Sequence, residues 1–221
     1  MSPERTAARG GQGADAASNP SAESPAPIVD RQALRASMHR SSARLWKDAE
    51  AGVVRPWVSA SLERDVTAVS RFTQYGTDVE FRADEAPDRG GAGSAPSPMR
   101  YLLSGIAFCV LGWAAKTWSS RDVAVLRLDL DVRTLLDTRG ELGVGDAPPH
   151  PQWFVLDVRV EDTATDAAAV GMLREAVARC PISALMSRAV PVHLMLEHNG
   201  RSVLDERPAE LRTEHEQEQT R

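Results

Sequence analysis

The amino-acid sequence predicts an α+β fold, because its strands come in runs that single long helices separate. Three short strands precede the first long helix, two alternating strands precede the second, and a hairpin follows it. A strict alternation of strand and helix would instead predict a doubly wound parallel sheet.

Alternation of apolar and polar side chains predicts the strands, since successive residues of a strand point to opposite faces of a sheet. The segment WVSASLE predicts a half-buried strand, and VTAVSRF and VEFRADE predict two more. VLRLDLDV shows the clearest alternation, and FVLDVRVE repeats it after a loop. VHLMLE and RSVLDE, joined by the turn HNG, predict a closing hairpin. The residues expected to point inward are Val58, Ala60, Leu62, Leu126, Leu128, Leu130, Val132, Leu156, Val158 and Val160.

The first long helix is predicted by its start signals and its composition. Ser97 suits the N-cap and Pro98 the first helical position, and the helix is expected to run from Met99 to near Trp118. Apolar side chains occupy every face, which predicts a buried helix. The apolar run YLLSGIAFCVLGWAA has about 15 residues, fewer than the roughly 20 that a membrane span needs. We therefore expect a core helix and no membrane partner.

The second long helix, DAAAVGMLREAVAR, has a capping residue, Thr165 or Asp166, at its start. It should end or kink near Cys180, because Pro181 disfavours helical geometry in the residue before it. The segment ISALMSR then predicts one or two further helical turns.

Composition divides the chain into four parts. The N-terminal segment is rich in Ala, Gly, Ser and Pro and nearly free of large apolar residues, which predicts disorder. The loosely helical spacing of Leu34, Met38 and Leu45 predicts a short amphipathic helix after it. The predicted parts are a disordered segment 1–28, a helical extension 29–52, a folded domain 53–205 and a charged tail 206–221.

The totals argue against several classes of function. A net charge of −5 at pH 7 argues against a nucleic-acid partner. The five histidines show no metal-ligand spacing, so we expect neither a metal nor another cofactor. The Gly-rich loop at 90–93 lacks the lysine of a phosphate-binding loop and is interpreted as a connection. The N-terminus shows no apolar signal-peptide core, which predicts a cytoplasmic protein.

The chain has two cysteines, and each has an inert interpretation. A cysteine in an apolar helix, such as Cys109, is most often a small core hydrophobe. The position of Cys180 before a proline indicates little by itself. In the cytoplasm, however, a disulfide is more often transient, catalytic or sensing than structural. The residues alone leave both interpretations open.

The sequence around the two cysteines resembles that of a known family. The Gly-rich loop followed by PSPMRYLLSGIAFCV is similar to the first half of the osmotically inducible protein C / organic hydroperoxide resistance (OsmC/Ohr) family. REAVARCPISALMSRAVPV resembles the second cysteine motif of that family. The separation of the cysteines, 180 − 109 = 71 positions, is also of the right size. The resemblance covers roughly residues 57–200.

The resemblance implies two buried central helices wrapped by antiparallel β-sheets, in an intertwined homodimer whose active sites lie at the subunit interface. It also implies a thiol-dependent peroxidase that reduces organic hydroperoxides. Cys109 would be the peroxidatic residue and Cys180 the resolving one. A dithiol reductant would then reopen the disulfide between them.

Peroxidatic chemistry requires a thiolate, and because burial disfavours a thiolate, a cation must lie nearby. The family supplies an arginine from its N-terminal strands, held by a glutamate ten positions before the cysteine; that position is Met99 here. Arg71 is the leading candidate for the cation, with Arg64 and Arg100 as alternatives. If an arginine faces Cys109, the pKa of this thiol should lie below that of a free cysteine.

Apolar residues near the first cysteine are the predicted wall of a pocket that would favour bulky organic peroxides. They are Met99, Phe108 and Trp113. Methionine in place of the family glutamate also motivates a second hypothesis, a non-catalytic protein that binds a small apolar molecule or senses redox state.

Overall fold

The computed structural model of the 221-residue chain describes residues 26–188, 195–198 and 201–205, and the structural statements below concern these residues. Most of the segment predicted to be disordered lies outside them, as do the tail 206–221 and the last two residues of the turn HNG.

The described residues form five α-helices and seven strands in the predicted order. The helices are α1 (Arg31–Lys47), α2 (Pro98–Ser120), α3 (Thr138–Glu141), α4 (Asp166–Arg179) and α5 (Pro181–Met186). The strands are β1 (Ser59–Arg64), β2 (Thr67–Gln74), β3 (Thr77–Ala83), β4 (Val125–Thr134), β5 (Phe154–Asp162), β6 (Met195–His198) and β7 (Arg201–Asp205). The α+β prediction is confirmed, and the short α3 is the helix that it missed.

The strands form three antiparallel sheets. The first sheet contains β1, β2 and β3 in sequence order, while β4 pairs with β5 and β6 pairs with β7. Helix α2 packs against β4 and also contacts α1, α4 and α5. Helix α2 therefore contacts more of the other helices and strands than a peripheral helix would, and it links α1, β4, α4 and α5.

One core cluster lies along α2 and is anchored by Trp118. This side chain is 1% exposed, and its indole N–H donates a hydrogen bond to the carboxylate of Asp162 in β5 at 2.5 Å. The bond satisfies the one polar atom of a large buried ring. The buried members of the cluster are Ala114, Trp118, Val125, Met172 and Ala176.

A bulge at the start of β4 changes which side chain enters the core. The register with β5 shifts directly after Val125, so Val125 is buried while Leu126 is only partly buried. A bulge places two residues of one strand opposite one residue of its partner and so interrupts the alternation. The structure therefore corrects the inward position predicted for Leu126, whereas Leu128 and Leu130 beyond the bulge pack against the core.

The buried carboxylate of Asp84 holds the loop between β3 and α2. Its oxygens accept hydrogen bonds from the N–H and hydroxyl of Ser94, from the N–H groups of Glu85 and Ala92, and from the hydroxyl of Thr67. The Ser94 donors, together with the two other N–H groups, hold the pKa of Asp84 well below its usual range against the opposing effect of burial. The loop is thus folded around a fixed negative charge.

Gly91 allows this loop to close on itself. A Cβ at this position would lie 2.0 Å from the carbonyl oxygen of Glu85 and 2.6 Å from Oδ1 of Asp84. Those atoms belong to the backbone and to a buried, fully bonded carboxylate, so neither can move aside cheaply. The Gly-rich loop is therefore a tight structural connection to α2.

Strand β1 and part of α2 are open to solvent in the single chain. Every residue of β1 is exposed, so Ala60 and Leu62 do not point into a core, and Leu62 is 70% exposed. Phe108 on α2 is 73% exposed. The sequence analysis predicted that β1 is half-buried and that α2 is fully buried. Both predictions are wrong for one chain, because no described element packs over β1 or over Phe108.

Helix α2 is longer than its apolar run, with 23 residues. By length and composition alone it could cross a membrane, and it is the one helix in the described part of the chain for which this holds. Core helices of soluble proteins pass the same test. In the single chain α2 packs against β4, α4 and α1 along part of its surface.

Candidate thiol site

Cys180 lies at a break between two helices. Helix α4 begins after Thr165, whose side chain accepts a hydrogen bond from the N–H of Ala168, and it ends at Arg179. Pro181 opens α5, and Cys180 between the two helices has an extended backbone with φ −73° and ψ 115°. The effect predicted for the proline is observed, since the residue before it leaves helical geometry. The Cys180 side chain is fully buried at this break.

Cys109 packs against the second core cluster, whose buried members are Ile106, Val110 and Cys180. The Cys109 side chain is partly exposed. The fold thus brings the two cysteines together in one apolar cluster, although 71 positions (180 − 109) separate them in sequence. The partly buried side chains around the cluster are Leu103, Cys109, Trp113, Leu130, Val132, Phe154, Leu156, Val177, Ile182 and Met186.

The two free thiols lie in one apolar cluster and ionise unequally. Burial, followed by the neighbouring Cys180 thiol, raises the pKa of the Cys109 thiol. Burial also opposes ionisation of Cys180, but the polar groups of Cys109 and Ser183 outweigh it and lower the pKa of Cys180. The N–H of Ser183 donates to Cys180 Sγ at 3.5 Å. The negative charge of the pair is therefore favoured on the more buried sulfur.

Neither predicted arginine contacts the thiols in the single chain. Arg71 Nε lies 2.9 Å from Glu80 Oε2 on the neighbouring strand, and its Nη2 lies 3.9 Å from Glu63. Arg64 Nε lies 3.3 Å from Asp65, and the Arg64 side chain is 87% exposed. Both arginines belong to the first sheet, and no described contact links them to the thiols. The predicted lowering of the Cys109 pKa required an arginine facing this thiol, and neither Arg64 nor Arg71 does so within one chain.

A lysine contributes positive charge on the cysteine side of α2. Lys116 lies seven residues after Cys109, about two helical turns along the same face. Its ammonium is 4.7 Å from the centroid of the Trp113 ring, which packs against the thiol cluster. The charge of Lys116 favours the ionised form of Cys109, although burial has the larger and opposite effect on that pKa.

The predicted pocket wall is only partly assembled in one chain. Trp113 packs against the thiol cluster, whereas Phe108 is mostly exposed and Met99 lies outside the cluster in the first turn of α2. Arg100, the third candidate cation, is exposed beside Met99. A cavity of about 940 Å³ lies over the first sheet beside Trp57, and neither thiol lines it. No group of His, Cys, Asp or Glu in the described part of the chain could hold a metal ion.

Sequence reasoning missed two residues of this site. Lys116 was detectable from its helical spacing to Cys109, because residues seven apart share a helix face. Ser183 was detectable as the third residue after an N-cap, the position whose N–H returns to the capping side chain. Neither position carries a motif that distinguishes it from an ordinary helical residue.

Comparison with known proteins agrees with this geometry. Residues 91–195, which include both cysteines, match the family described as OsmC-like protein. The structure of an OsmC-like protein from Mycoplasma pneumoniae aligns with a TM-score of 0.50 and 16% identity, over 61% of this chain and 88% of that one. An OsmC-like protein of unknown function from Vibrio cholerae aligns with a TM-score of 0.47 and 11% identity, over 60% and 93%. An organic hydroperoxide resistance protein from Legionella pneumophila aligns with a TM-score of 0.42 and 15% identity, over 61% and 90%.

No curated protein matches the chain. The fold and the paired thiols define an OsmC-like α+β domain, and the Mycoplasma pneumoniae structure has the same fold. Residues 91–195 match the model of the OsmC-like family, so this part of the chain is similar to that family. The resemblance inferred from the two cysteine motifs is thus confirmed.

Proposed function

We propose that the chain is a thiol-dependent peroxidase that reduces organic hydroperoxides through a Cys109–Cys180 disulfide. The observation that carries the proposal is that two free cysteines, one partly exposed and the other fully buried, share one apolar cluster. The partly exposed sulfur is accessible to a substrate, and the buried one is placed to react with it next. An apolar surrounding suits a peroxide that carries an organic group.

The proposed reaction proceeds in two displacements. The Cys109 thiolate attacks one peroxide oxygen, the O–O bond breaks, and the leaving alkoxide takes a proton to become an alcohol. The Cys180 thiolate then attacks the sulfur of the Cys109 sulfenic acid, and the hydroxide that leaves is protonated to water. Two thiols and one hydroperoxide thus give a disulfide, an alcohol and water. The lowered pKa of Cys180 supports its role in the second step, because the thiolate is the nucleophile.

A homodimer would supply the charge that Cys109 lacks in one chain. The pKa of Cys109 remains raised despite Lys116, so the proposed first step needs a further cation. Strand β1 of the first sheet is exposed, and the sheet carries three arginines, Arg64, Arg71 and Arg82. If this sheet packs over the thiol region of a second copy, it buries Leu62 and Phe108 and brings an arginine of one subunit to the thiols of the other.

Stoichiometric oxidation tests the peroxidase proposal. The reduced protein is treated with one equivalent of cumene hydroperoxide, the free thiols are counted, and the intramolecular disulfide is identified by mass. We expect both thiols to be lost in the unmodified chain and Cys109→Ser to be unreactive. Cys180→Ser should stop at a sulfenic acid that dimedone traps. Two surviving thiols in the folded, unmodified protein would contradict the proposal.

A second candidate function is redox sensing or small-molecule binding without turnover. The raised pKa of Cys109 and the methionine at position 99 favour it, since both weaken the activated thiolate. Repeated turnover of hydroperoxide with dithiothreitol as reductant distinguishes the two candidates. A sensor reacts once and is reduced slowly, whereas a peroxidase consumes many equivalents of hydroperoxide.

A further inference from the structure

Ser183 has a buried hydroxyl group without a hydrogen-bond partner. The residue lies in α5 and is 7% exposed, and its Oγ makes no hydrogen bond with the described residues. Buried polar groups are nearly always paired, so an unpaired one requires an explanation. The N–H of the same residue donates to Cys180 Sγ at 3.5 Å, and Ser183 lowers the pKa of the Cys180 thiol.

Helix geometry puts this hydroxyl within reach of the sulfur after rotation of the side chain. Cys180 is the N-cap of α5, and Ser183 is the third residue after it, where side chains face the capping residue. A serine hydroxyl hydrogen rotates to suit its acceptor. Ser183 can therefore donate to Cys180 Sγ whenever that sulfur carries negative charge, with little movement of the backbone.

The two sulfurs differ in access, and this difference gives the hydroxyl a role. Cys180 is 0% exposed, whereas Cys109 is partly exposed. In a disulfide between them, a reductant thiolate reaches the sulfur of Cys109, and the sulfur of Cys180 must leave. The leaving sulfur takes the electron pair, so a hydrogen-bond donor at Cys180 stabilises the products of this step.

We propose that Ser183 is a positioning residue for reduction of the disulfide: its hydroxyl donates to Cys180 Sγ as that sulfur leaves, and so directs the reductant to Cys109. The inference rests on the proposed Cys109–Cys180 disulfide. In the step, the reductant thiolate bonds to Cys109 Sγ, the S–S bond breaks, and Cys180 becomes a thiolate. A second reductant thiol then displaces Cys109 from the mixed disulfide, and the reductant leaves as its own disulfide.

The test compares two buried serines whose hydroxyls both lack partners. Ser183→Ala removes the proposed donor, and Ser119→Ala removes the other such hydroxyl, on α2, as the matched control. Each protein is oxidised with diamide and then reduced with dithiothreitol in stopped flow. We expect Ser183→Ala to be reduced about tenfold more slowly, the loss expected for a hydrogen bond to a charged sulfur. Ser119→Ala should match the unmodified protein, and Ser183→Thr, which keeps a hydroxyl, should recover most of the rate.

The equilibrium constant for reduction by dithiothreitol is a second measurement, and a purely structural role of Ser183 would leave it unchanged. Loss of a donor to the Cys180 thiolate disfavours the reduced form, so Ser183→Ala should shift the equilibrium toward the disulfide by about the same tenfold factor. Equal rates and equal equilibria for Ser183→Ala and Ser119→Ala would overturn the inference.

A trapping experiment on the unmodified chain tests the direction of attack without any variant. The disulfide is treated with excess 2-mercaptoethanol, quenched in acid, alkylated and mapped by mass. A mixed disulfide on Cys109 supports the inference, and one on Cys180 overturns it.

If diamide forms the disulfide but hydroperoxides do not, the peroxidase proposal fails, while the inference about Ser183 is still tested by the reduction rates. If no oxidant forms the disulfide, both fail.

Discussion

The ammonium of Lys116 lies 4.7 Å from the centroid of the Trp113 indole ring. A cation–π contact at this distance restricts an otherwise flexible side chain. Helical side chains lean toward the N-terminus of their helix, so the contact holds the charge on the side of Lys116 that faces Cys109. The ring and the lysine thus direct positive charge toward the thiols, whereas Arg64 and Arg71 are paired with carboxylates.

Replacing Lys116 with methionine should make Cys109 less reactive. Loss of the positive charge raises the pKa of Cys109 further, so less thiolate is present at neutral pH. In a Cys180→Ser background at low salt, alkylation by iodoacetamide should slow roughly threefold, as expected for a partly screened charge pair. Added salt should reduce the difference between the two proteins. Lys47→Met in α1 replaces the chain's other lysine and serves as the control. An unchanged alkylation rate in Lys116→Met would show that the charge of Lys116 does not act on Cys109.

The carboxylate of Asp84 should give the domain an acid-dependent stability. Its folded-state pKa is lowered, so its stabilisation is fully present above the unfolded pKa, near pH 4, and is lost as the pH falls through the lower folded value. Asp84→Asn should therefore lower the Tm at pH 7, and its deficit relative to the unmodified protein should shrink below about pH 4. Thermal melts followed by circular dichroism between pH 2 and pH 7 measure both effects.

Asp146→Asn is the control for this prediction, because Asp146 is exposed in the loop before β5. Its Tm should follow that of the unmodified protein across the whole pH range. A constant deficit of Asp84→Asn at every pH would show that lost packing, and not ionisation of the carboxylate, accounts for the effect.

Local signals in the sequence were sufficient for most of the secondary structure. The Ser97–Pro98 start of α2, the Thr165 cap of α4 and the break before Pro181 lie where they were predicted, because each depends on a few adjacent residues. The bulge after Val125 was not predicted, since it depends on how β4 meets a partner strand. Alternation along one strand holds no information about its register with another.

The site was predictable only in part, for a related reason. The family resemblance implied that the two cysteines pair, and the structure places both residues in one cluster. The cation could not be predicted, because the pairing of Arg71 with Glu80 depends on strand register. The buried positions predicted for Leu62 and Phe108 assumed a complete surrounding, and one chain does not provide it.

Gly91 should tolerate no side chain. Gly91→Ala places a methyl group 2.0 Å from a backbone carbonyl oxygen, so the loop must open and the Asp84 hydrogen bonds must weaken. We expect the free energy of unfolding to fall by about 1–3 kcal/mol, the usual cost of overpacking. Gly171→Ala is the control, because a Cβ there meets nothing within 4 Å on α4, and it should gain about 0.5–1 kcal/mol. Urea unfolding curves measure both changes, and equal stabilities would contradict the close approach at Gly91.

Leu62→Glu should dissociate the proposed homodimer. Leu62 is 70% exposed on a strand that no described element of its own chain covers, so a charge there costs little in a monomer. In an interface, the same carboxylate would be buried without a partner, which is strongly unfavourable. Light scattering during size exclusion should give about twice the subunit mass of 24.0 kDa for the unmodified protein and a value near that mass for the variant.

The control for the dimer is Leu142→Glu, since Leu142 is 78% exposed in the loop after α3 and should not affect association. The rate of Cys109 alkylation by iodoacetamide tests whether dimer formation also activates this thiol. If the partner's sheet supplies the missing cation, Leu62→Glu should slow alkylation together with dissociation, and Leu142→Glu should change neither. A dissociated variant that keeps a fully reactive Cys109 would show that the charge activating this thiol comes from its own chain, with Lys116 as its source.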